Sequence, residues 1–482
     1  MNSSVYATPA IFGDYLIFPA DDGNLYAFNK TSGKLFWKNS IKKAYFKDPK
    51  LHSKITFTPN VVVSRTTPVK YRNSFLLGTI DYCSILRIDI KTGTLIGKVR
   101  LSSLRYARIT MSGTVLDNNF YVGVASSEES ASGNPSYPCC SFVGSFHSID
   151  IPSMSVVWDW YTIPLNTVGP AQLSGAAIWG SSPSIDVDTG LVYFATGDNY
   201  YVPDELTSCY NITAPANWEK SCNAVLAPEN WFESVIALNI FTGQKVWAKR
   251  VSSYDAWSIA CVFKNNPNCP IIPGLDYDFG MAPVLSTVNN KKVLFIGQKS
   301  GIVYSFNATT GSIIWAKQTS PGSIVGGHSW GISVDDTQVY ASVANYFHLP
   351  WTLKNGTTTV GGGWVALDKK SGNITWTTAN PAGYDPTGIG LSKSNRRIAT
   401  SWGMGPSSVV GDVVLVGSAD IVGYNYGSGG YVYSLKKTDG KIISSYETKA
   451  GVYGGFSADN NCAYIGHGYP LFGLAEGSKE IQ

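Results

Sequence analysis

The sequence predicts an all-β protein built as an eight-bladed β-propeller. Three observations carry this prediction. A turn motif recurs seven times along the chain. Charged residues make up only 15%, while 49 glycines and 28 tyrosines point to strands joined by many turns. The 482 residues exceed what one spherical core sustains, whereas a propeller lengthens by adding blades around an axis.

The copies are "LYAFNKTSGKLFWK" from Leu25, "LRIDIKTGTLIGK" from Leu86, "FHSIDIPSMSVVWD" from Phe146, "VIALNIFTGQKVWAK" from Val235, "VYSFNATTGSIIWAK" from Val303, "WVALDKKSGNITWTT" from Trp364 and "VYSLKKTDGKIISSY" from Val432. Each reads as a strand, a turn and a second strand. Alternating residues make the strand half-buried. Asp or Asn bonds the turn backbone, and Gly supplies φ > 0. Gly33, Gly93, Gly243, Gly311, Gly372 and Gly440 hold the turn, with Met154 in the third copy. Trp37, Trp158, Trp247, Trp315 and Trp376 follow, positioned to cover the next unit; Gly97 and Ser444 replace them in the second and seventh copies. The spacing suits four-stranded blades. A degenerate eighth blade is expected at Tyr453 to Tyr469.

One domain over 1–482 is expected, with two insertions, about 203–231 and 252–275. The first holds Cys209 and Cys222, the second Cys261 and Cys269, and each pair reads as a loop staple. Spacing alone does not fix that connectivity, and it leaves Cys83 and Cys462 unassigned. Cys139 and Cys140 stand side by side in "YPCCSFVGS". A bond between neighbours closes almost no loop, so it is a poor staple.

Net charge is +4, and basic doublets such as Lys42-Lys43, Lys291-Lys292 and Arg396-Arg397 are scattered, which argues against nucleic acid. No apolar run is long enough to span a membrane. The N-terminus lacks the basic and apolar regions of a signal peptide. Sequons at Asn2, Asn29, Asn211, Asn307, Asn355 and Asn373, with eight cysteines, point to secretion.

Several short patterns invite chemistry. "GHSWG" around Ser329 imitates a nucleophile elbow, but strand-like residues follow where a helix is required. "DYDFG" places Asp276 and Asp278 together, as a base, as metal ligands or as a solvated turn. "ATGDNY" ends a strand on Asp198 and Asn199, oxygen ligands suited to a hard cation or ordinary turn residues. "GQKSG" sets Lys299 at a strand entrance, facing either an anion or solvent. No haem, zincin or P-loop motif is present in the sequence.

Taken in order, "YATPAIFGDYLIFPADDGNLYAFN", "SRTTPV", "YVGVASSEE", "YPCCSFVGS", "LSGAAIWGSSPSIDVDTGLVYFATGDNY", "DYDFGMAPVL", "GQKSGIVYSFN" and "GHGY" resemble the pyrroloquinoline-quinone (PQQ) dehydrogenases, eight-bladed quinoproteins. The similarity is greatest to the polyvinyl-alcohol-dehydrogenase-like branch. It implies a vicinal Cys139–Cys140 disulfide against one face of the quinone and Trp179 against the other. It implies that Ser174, Gly175 and Glu128 line the cofactor, with Lys299 polarising the quinone. Ca²⁺ would be held by Asp198, Asn199 and Asp276, and Asp276 would be the general base. It also implies a signal peptide and a closing strand upstream of Met1. Where the family places a carboxylate-binding arginine after the cysteines, this chain has Val143; Arg65, Arg105 and Arg108 are candidates to supply that charge.

The function expected from this resemblance is a secreted oxidoreductase. It would oxidise a small-molecule alcohol to an aldehyde or ketone with PQQ and Ca²⁺, passing electrons to an external acceptor. Loop aromatics Tyr346, Phe347, Trp351 and Tyr384 suggest a bulky or apolar alcohol. The alternatives are a propeller without cofactor that serves as a binding or scaffold protein, and a pocket repurposed for non-quinone chemistry.

Overall fold

The turn motifs become the outer hairpins of antiparallel four-stranded blades. A computed structural model describes residues 3–46, 63–167, 172–381, 398–422 and 425–468. Asn2, Tyr384, Arg396, Arg397 and Tyr469, used above, lie outside them. Blade 5 shows the pattern, with strands Val284–Val288, Lys291–Gly297, Ile302–Asn307 and Ile313–Gln318 in sequence order. The middle strands are buried and the last is largely exposed, which is why hydrophobic runs alternate with amphipathic ones. Blades 3 and 7 each gain a fifth strand, Ala107–Arg108 and Ile398–Gly403.

The turn chemistry is as expected. Asn239 accepts from the backbone N–H groups of Phe241 (2.9 Å) and Thr242 (3.0 Å), and Asn307 and Asp368 do the same in their turns. The tryptophans dock as expected too. Trp158 Nε1 donates to Ile240 O of the next blade at 3.0 Å, and Trp37, Trp247 and Trp376 make the corresponding bond at 2.9–3.0 Å. The turn glycine therefore has a second role. A Cβ on Gly243 would stand 2.6 Å from Trp158, so only glycine leaves room for the ring of the preceding blade.

The two exceptions in the repeat explain each other. The second copy has Gly97 in place of Trp, and the third has Met154 in place of Gly. A Cβ on Gly97 would meet Met154 Cγ at 2.8 Å, so the methionine fills the space that the missing indole leaves. Gly97→Trp alone should destabilise by about 1–3 kcal/mol through overpacking. Adding Met154→Gly should recover part of that loss, a coupling visible in a denaturation double-mutant cycle.

The described residues form seven blades and not the eight expected. Where the eighth was expected there is one two-stranded hairpin, Phe456–Ala458 with Ala463–Ile465. Its turn, Asp459 to Cys462, lacks the Thr/Ser-Gly step and the docking tryptophan of the other copies. The hairpin packs on blade 1 through Lys30–Asp459 at 2.8 Å, and Val5 N donates to His467 O at 3.1 Å.

Both insertions carry the expected disulfides, Cys209–Cys222 and Cys261–Cys269, and Cys139–Cys140 forms the vicinal disulfide. Cys83 is a buried free thiol and Cys462 an exposed one. The second insertion is also tied across the molecule. Ala260 N donates to Ser132 Oγ, and Asn268 donates to the carbonyls of Ser132 and Asn134.

Blade 7 hides an acid away from these loops. Asp420 is 4% exposed and accepts from Asn380 and Ser418, each at 3.1 Å. Burial pushes its carboxyl up to about 7 against those two bonds. The native state thus keeps a proton that the unfolded chain releases near pH 4. Stability should fall as pH rises from about 4 to about 7, by on the order of 4 kcal/mol from this group. Urea unfolding at pH 5 and pH 8 should show Asp420→Asn losing that part of the drop.

Candidate active site

Three aspartates and one lysine converge on the axis side of blades 4 and 5. Carboxylate oxygens of Asp198, Asp276 and Asp278 lie within 4.8 Å of one another, all buried. Lys299 Nζ bonds Asp276 Oδ1 at 2.6 Å and Asp278 Oδ2 at 3.0 Å. Asp198 follows the buried strand Leu191–Ala195 and Lys299 follows Lys291–Gly297, so two rigid strands aim them. Gly197 permits the approach: a Cβ there would be 2.5 Å from Asp278 Oδ1, which instead accepts from Asp198 N at 2.6 Å.

Asp276 is held in a left-handed conformation, φ 58°. Such strain persists only where neighbours over-determine it. Here Asp255, from the second insertion, accepts from Asp276 N at 3.1 Å and Tyr277 N at 2.8 Å.

The charges do not balance. Burial, followed by the charges of Asp278 and Asp276, drives the Asp198 carboxyl well above the usual carboxylate range. Its Oδ2 is buried with no hydrogen bond. Burial raises Asp276 as well, against the pull of Lys299. Burial works against the Lys299 charge, yet Asp276, Asp278 and Glu129 together hold its ammonium well above the ordinary value. Three carboxylates against one ammonium, with an orphan oxygen, fit a hard cation.

The cluster opens into a cavity of about 810 Å³. Trp179 forms part of its wall, with Nε1 bonded to Asp278 Oδ2 at 3.2 Å and its ring edge-on to Trp330 at 5.5 Å. Ile80, Ile259, Val262, Val325 and Met404 make other parts of the lining apolar. Arg65 and Arg108 also line it, and so does Glu129, whose carboxyl burial pushes up to about 7 against Lys299. A small, partly apolar molecule fits a cavity of this volume and lining.

A family model described as outer membrane protein assembly factor BamB matches residues 231–461. A polyvinylalcohol dehydrogenase of Pseudomonas sp. is 26% identical over 454 residues, covering 92% of this chain and 61% of that relative. That of Sphingopyxis sp. (strain 113P3) is 26% identical over 383 residues, covering 77% and 52% respectively. This chain thus spans little more than half the length of these relatives. Quinohemoprotein alcohol dehydrogenase ADHIIG of Pseudomonas putida HK5 has a TM-score of 0.65 at 15% identity, covering 100% of this chain and 76% of that structure, a likeness of fold.

The resemblance to the PQQ-dependent dehydrogenases is borne out. Of the residues it singles out, the structure brings Asp198, Asp276, Lys299 and Trp179 into one site. Others stand behind it. The Asn199 amide is engaged with Asn230 at both ends, Nδ2 at 3.1 Å and Oδ1 at 2.9 Å, which leaves it turned to a neighbour and not to the aspartates. Glu128 lies under the cysteine loop, accepting from Tyr137 (2.6 Å), Ser141 N (2.9 Å) and Phe142 N (2.6 Å). The cavity is lined by its neighbour Glu129. Cys139, Cys140, Ser174 and Gly175 are not among the residues lining the cavity; Gly175 pairs with the cysteine loop through Phe142 O and Gly144 N. The loop reaches the cavity through Asn134 and Tyr137.

Val143 is 6% exposed and packs with Ile163, Leu173 and Leu206, against the first insertion. An apolar residue there completes a core cluster. Sequence reasoning offered Asp278 only as half of an acidic pair, as base, metal ligand or solvated turn, and left it out of the residues implied by the resemblance; it missed Asp255 and Glu129 altogether. A signal for Asp278 lay in the "DYD" pair; Asp255 sits in a loop with no motif.

Proposed function

We propose that this chain is a secreted quinoprotein that oxidises an alcohol to an aldehyde or ketone with PQQ and Ca²⁺. The observation that carries the reading is the buried Asp198–Asp276–Asp278–Lys299 cluster opening on the Trp179-walled cavity. The similarity to polyvinylalcohol dehydrogenases supports it. Three disulfides in the chain support an oxidising compartment.

Asp198, Asp276 and Asp278 would hold the Ca²⁺, and Trp179 would flank the cofactor. When bound, PQQ would supply an electrophilic quinone carbonyl able to accept the carbon-bound hydrogen of the alcohol together with its two electrons. The chain's own residues do the rest. Asp276 Oδ takes the hydroxyl proton, since it is a buried carboxylate on the cavity wall. Lys299 Nζ orients that carboxylate and keeps a fixed positive charge where negative charge develops. The apolar lining excludes water from the reacting groups. Asn199, Glu128, Ser174, Gly175 and the cysteine pair would support these groups from behind.

Purified chain given PQQ and Ca²⁺ should reduce an artificial electron acceptor only when an alcohol is present. Acceptor reduction that is the same without alcohol, or none with any primary or secondary alcohol, rejects the reading.

A further inference from the structure

The second insertion forms one wall of the cavity and is built to stay in place. Both of its ends stand at the acid cluster. Near its start, Asp255 braces Asp276, and Trp257 N donates to Asn199 O, beside Asp198, at 2.8 Å. Its return leads directly into Asp276. Gly274 N donates to Ala256 O at 2.7 Å, which closes the neck of the loop. A Cβ on Gly274 would stand 1.9 Å from Asp255 Oδ1, so the neck admits only glycine there. Cys261–Cys269 ties the far end. That end is bonded in turn to the residues after the helix Glu128–Ala131. Asn266 Nδ2 donates to Gly133 O at 3.1 Å, and Asn268 Nδ2 donates to Ser132 O at 2.9 Å and Asn134 O at 3.0 Å. A Cβ on Gly133 would meet Ile259 at 3.1 Å and Phe263 at 3.3 Å, so the two segments pack closely.

Three side chains of this insertion line the cavity: Trp257, Ile259 and Val262. Their exposure rises along the chain. Trp257 is 8% exposed, Ile259 is half-buried and Val262 is 59% exposed. None carries a charge. An apolar strip therefore leads from beside the acids out to solvent. Apolar side chains fixed on a rigid cavity wall gain when a ligand covers them. A two-carbon alcohol with its hydroxyl at Asp276 would fill little of an 810 Å³ space. A hydrocarbon chain would lie along the strip and remove it from water.

We propose that Ile259 and Val262 are specificity-determining residues that hold the hydrocarbon tail of the alcohol, so that the site takes alcohols with a long apolar chain. This rests on the function proposed above, which places the reacting hydroxyl at Asp276.

The test is kcat/KM for the straight-chain alcohols from ethanol to octanol, measured on the full chain with PQQ, Ca²⁺ and an artificial electron acceptor. Wild-type kcat/KM should rise about two- to fourfold per added methylene until the tail reaches solvent. Ile259→Thr and Val262→Thr keep a branched side chain and add a hydroxyl. Each should lower the octanol-to-ethanol ratio of kcat/KM about three- to tenfold. Ile271→Thr, on the same insertion but outside the cavity lining and 74% exposed, should leave that ratio unchanged. Should Ile259→Thr misfold, Val262→Thr decides, because its site is already open to water. A wild-type ratio near one, or a ratio that survives the cavity substitutions, overturns the proposal and leaves the quinoprotein reading standing. Wild type that oxidises no alcohol rejects that reading, and the tail is then read without turnover. In a tryptophan-fluorescence titration octanol should bind more tightly than butanol, with the margin reduced in Val262→Thr. Equal binding of the two alcohols, or a margin unchanged in the variant, overturns the proposal as well.

Discussion

Asp276→Asn should lower kcat for alcohol oxidation by about 100- to 10,000-fold and leave the fold in place. The substitution is nearly isosteric. The Asn oxygen still accepts from Lys299, as Asp276 Oδ1 does at 2.6 Å. Asn also tolerates the left-handed backbone, φ 58°, better than other residues do. The backbone N–H stays on Asp255 at 3.1 Å. What disappears is the capacity to take a proton. Stopped-flow turnover with a saturating alcohol reads the loss directly. A variant with unchanged kcat moves the base elsewhere, with Glu129 the next carboxyl on the cavity wall.

Asp198→Asn should stabilise the metal-free chain and remove most of the stabilisation by Ca²⁺. Asp198 is 2% exposed and its Oδ2 has no partner, so without metal it is an uncompensated buried acid. Removing such a group stabilises, whereas removing one member of a satisfied pair destabilises. Metal-free Asp198→Asn should therefore unfold at higher denaturant than metal-free wild type. Ca²⁺ at about 100 times its Kd should add about 2.7 kcal/mol to wild type, and much less to the variant. Equal stabilisation of both by Ca²⁺ would remove Asp198 from the ligand set.

Much of the fold was legible because each blade repeats one local solution. The Asn or Asp of the turn, its glycine and the docking tryptophan act over a few residues and onto the adjacent blade, so their spacing survives in sequence. Even the exceptions carried meaning: Gly97 and Met154 are complementary. The eighth blade was over-read because "FSADNNCAYI" supplies one hairpin's alternation and no more. In the site, the strand ends announced themselves. Asp198 and Lys299 close buried runs, and Asp276 sits in an acidic pair.

What escaped was set by tertiary packing. Glu128 and Glu129 are neighbours in sequence, but adjacent positions on a helix point about 100° apart, so one braces the cysteine loop and the other faces the cavity. Asp255 works by accepting two backbone N–H groups 21 and 22 residues away. Nothing local marks it. Val143 looked like a lost cation, and its partners across the first insertion were needed to show a packed core residue.

The most direct test of the whole account is calorimetric titration of PQQ into the chain, with and without Ca²⁺. The account predicts one PQQ per chain, bound more tightly when Ca²⁺ is present, with the Ca²⁺ dependence lost in Asp198→Asn. Absence of saturable PQQ binding, or binding indifferent to Ca²⁺ in the wild-type chain, would contradict it.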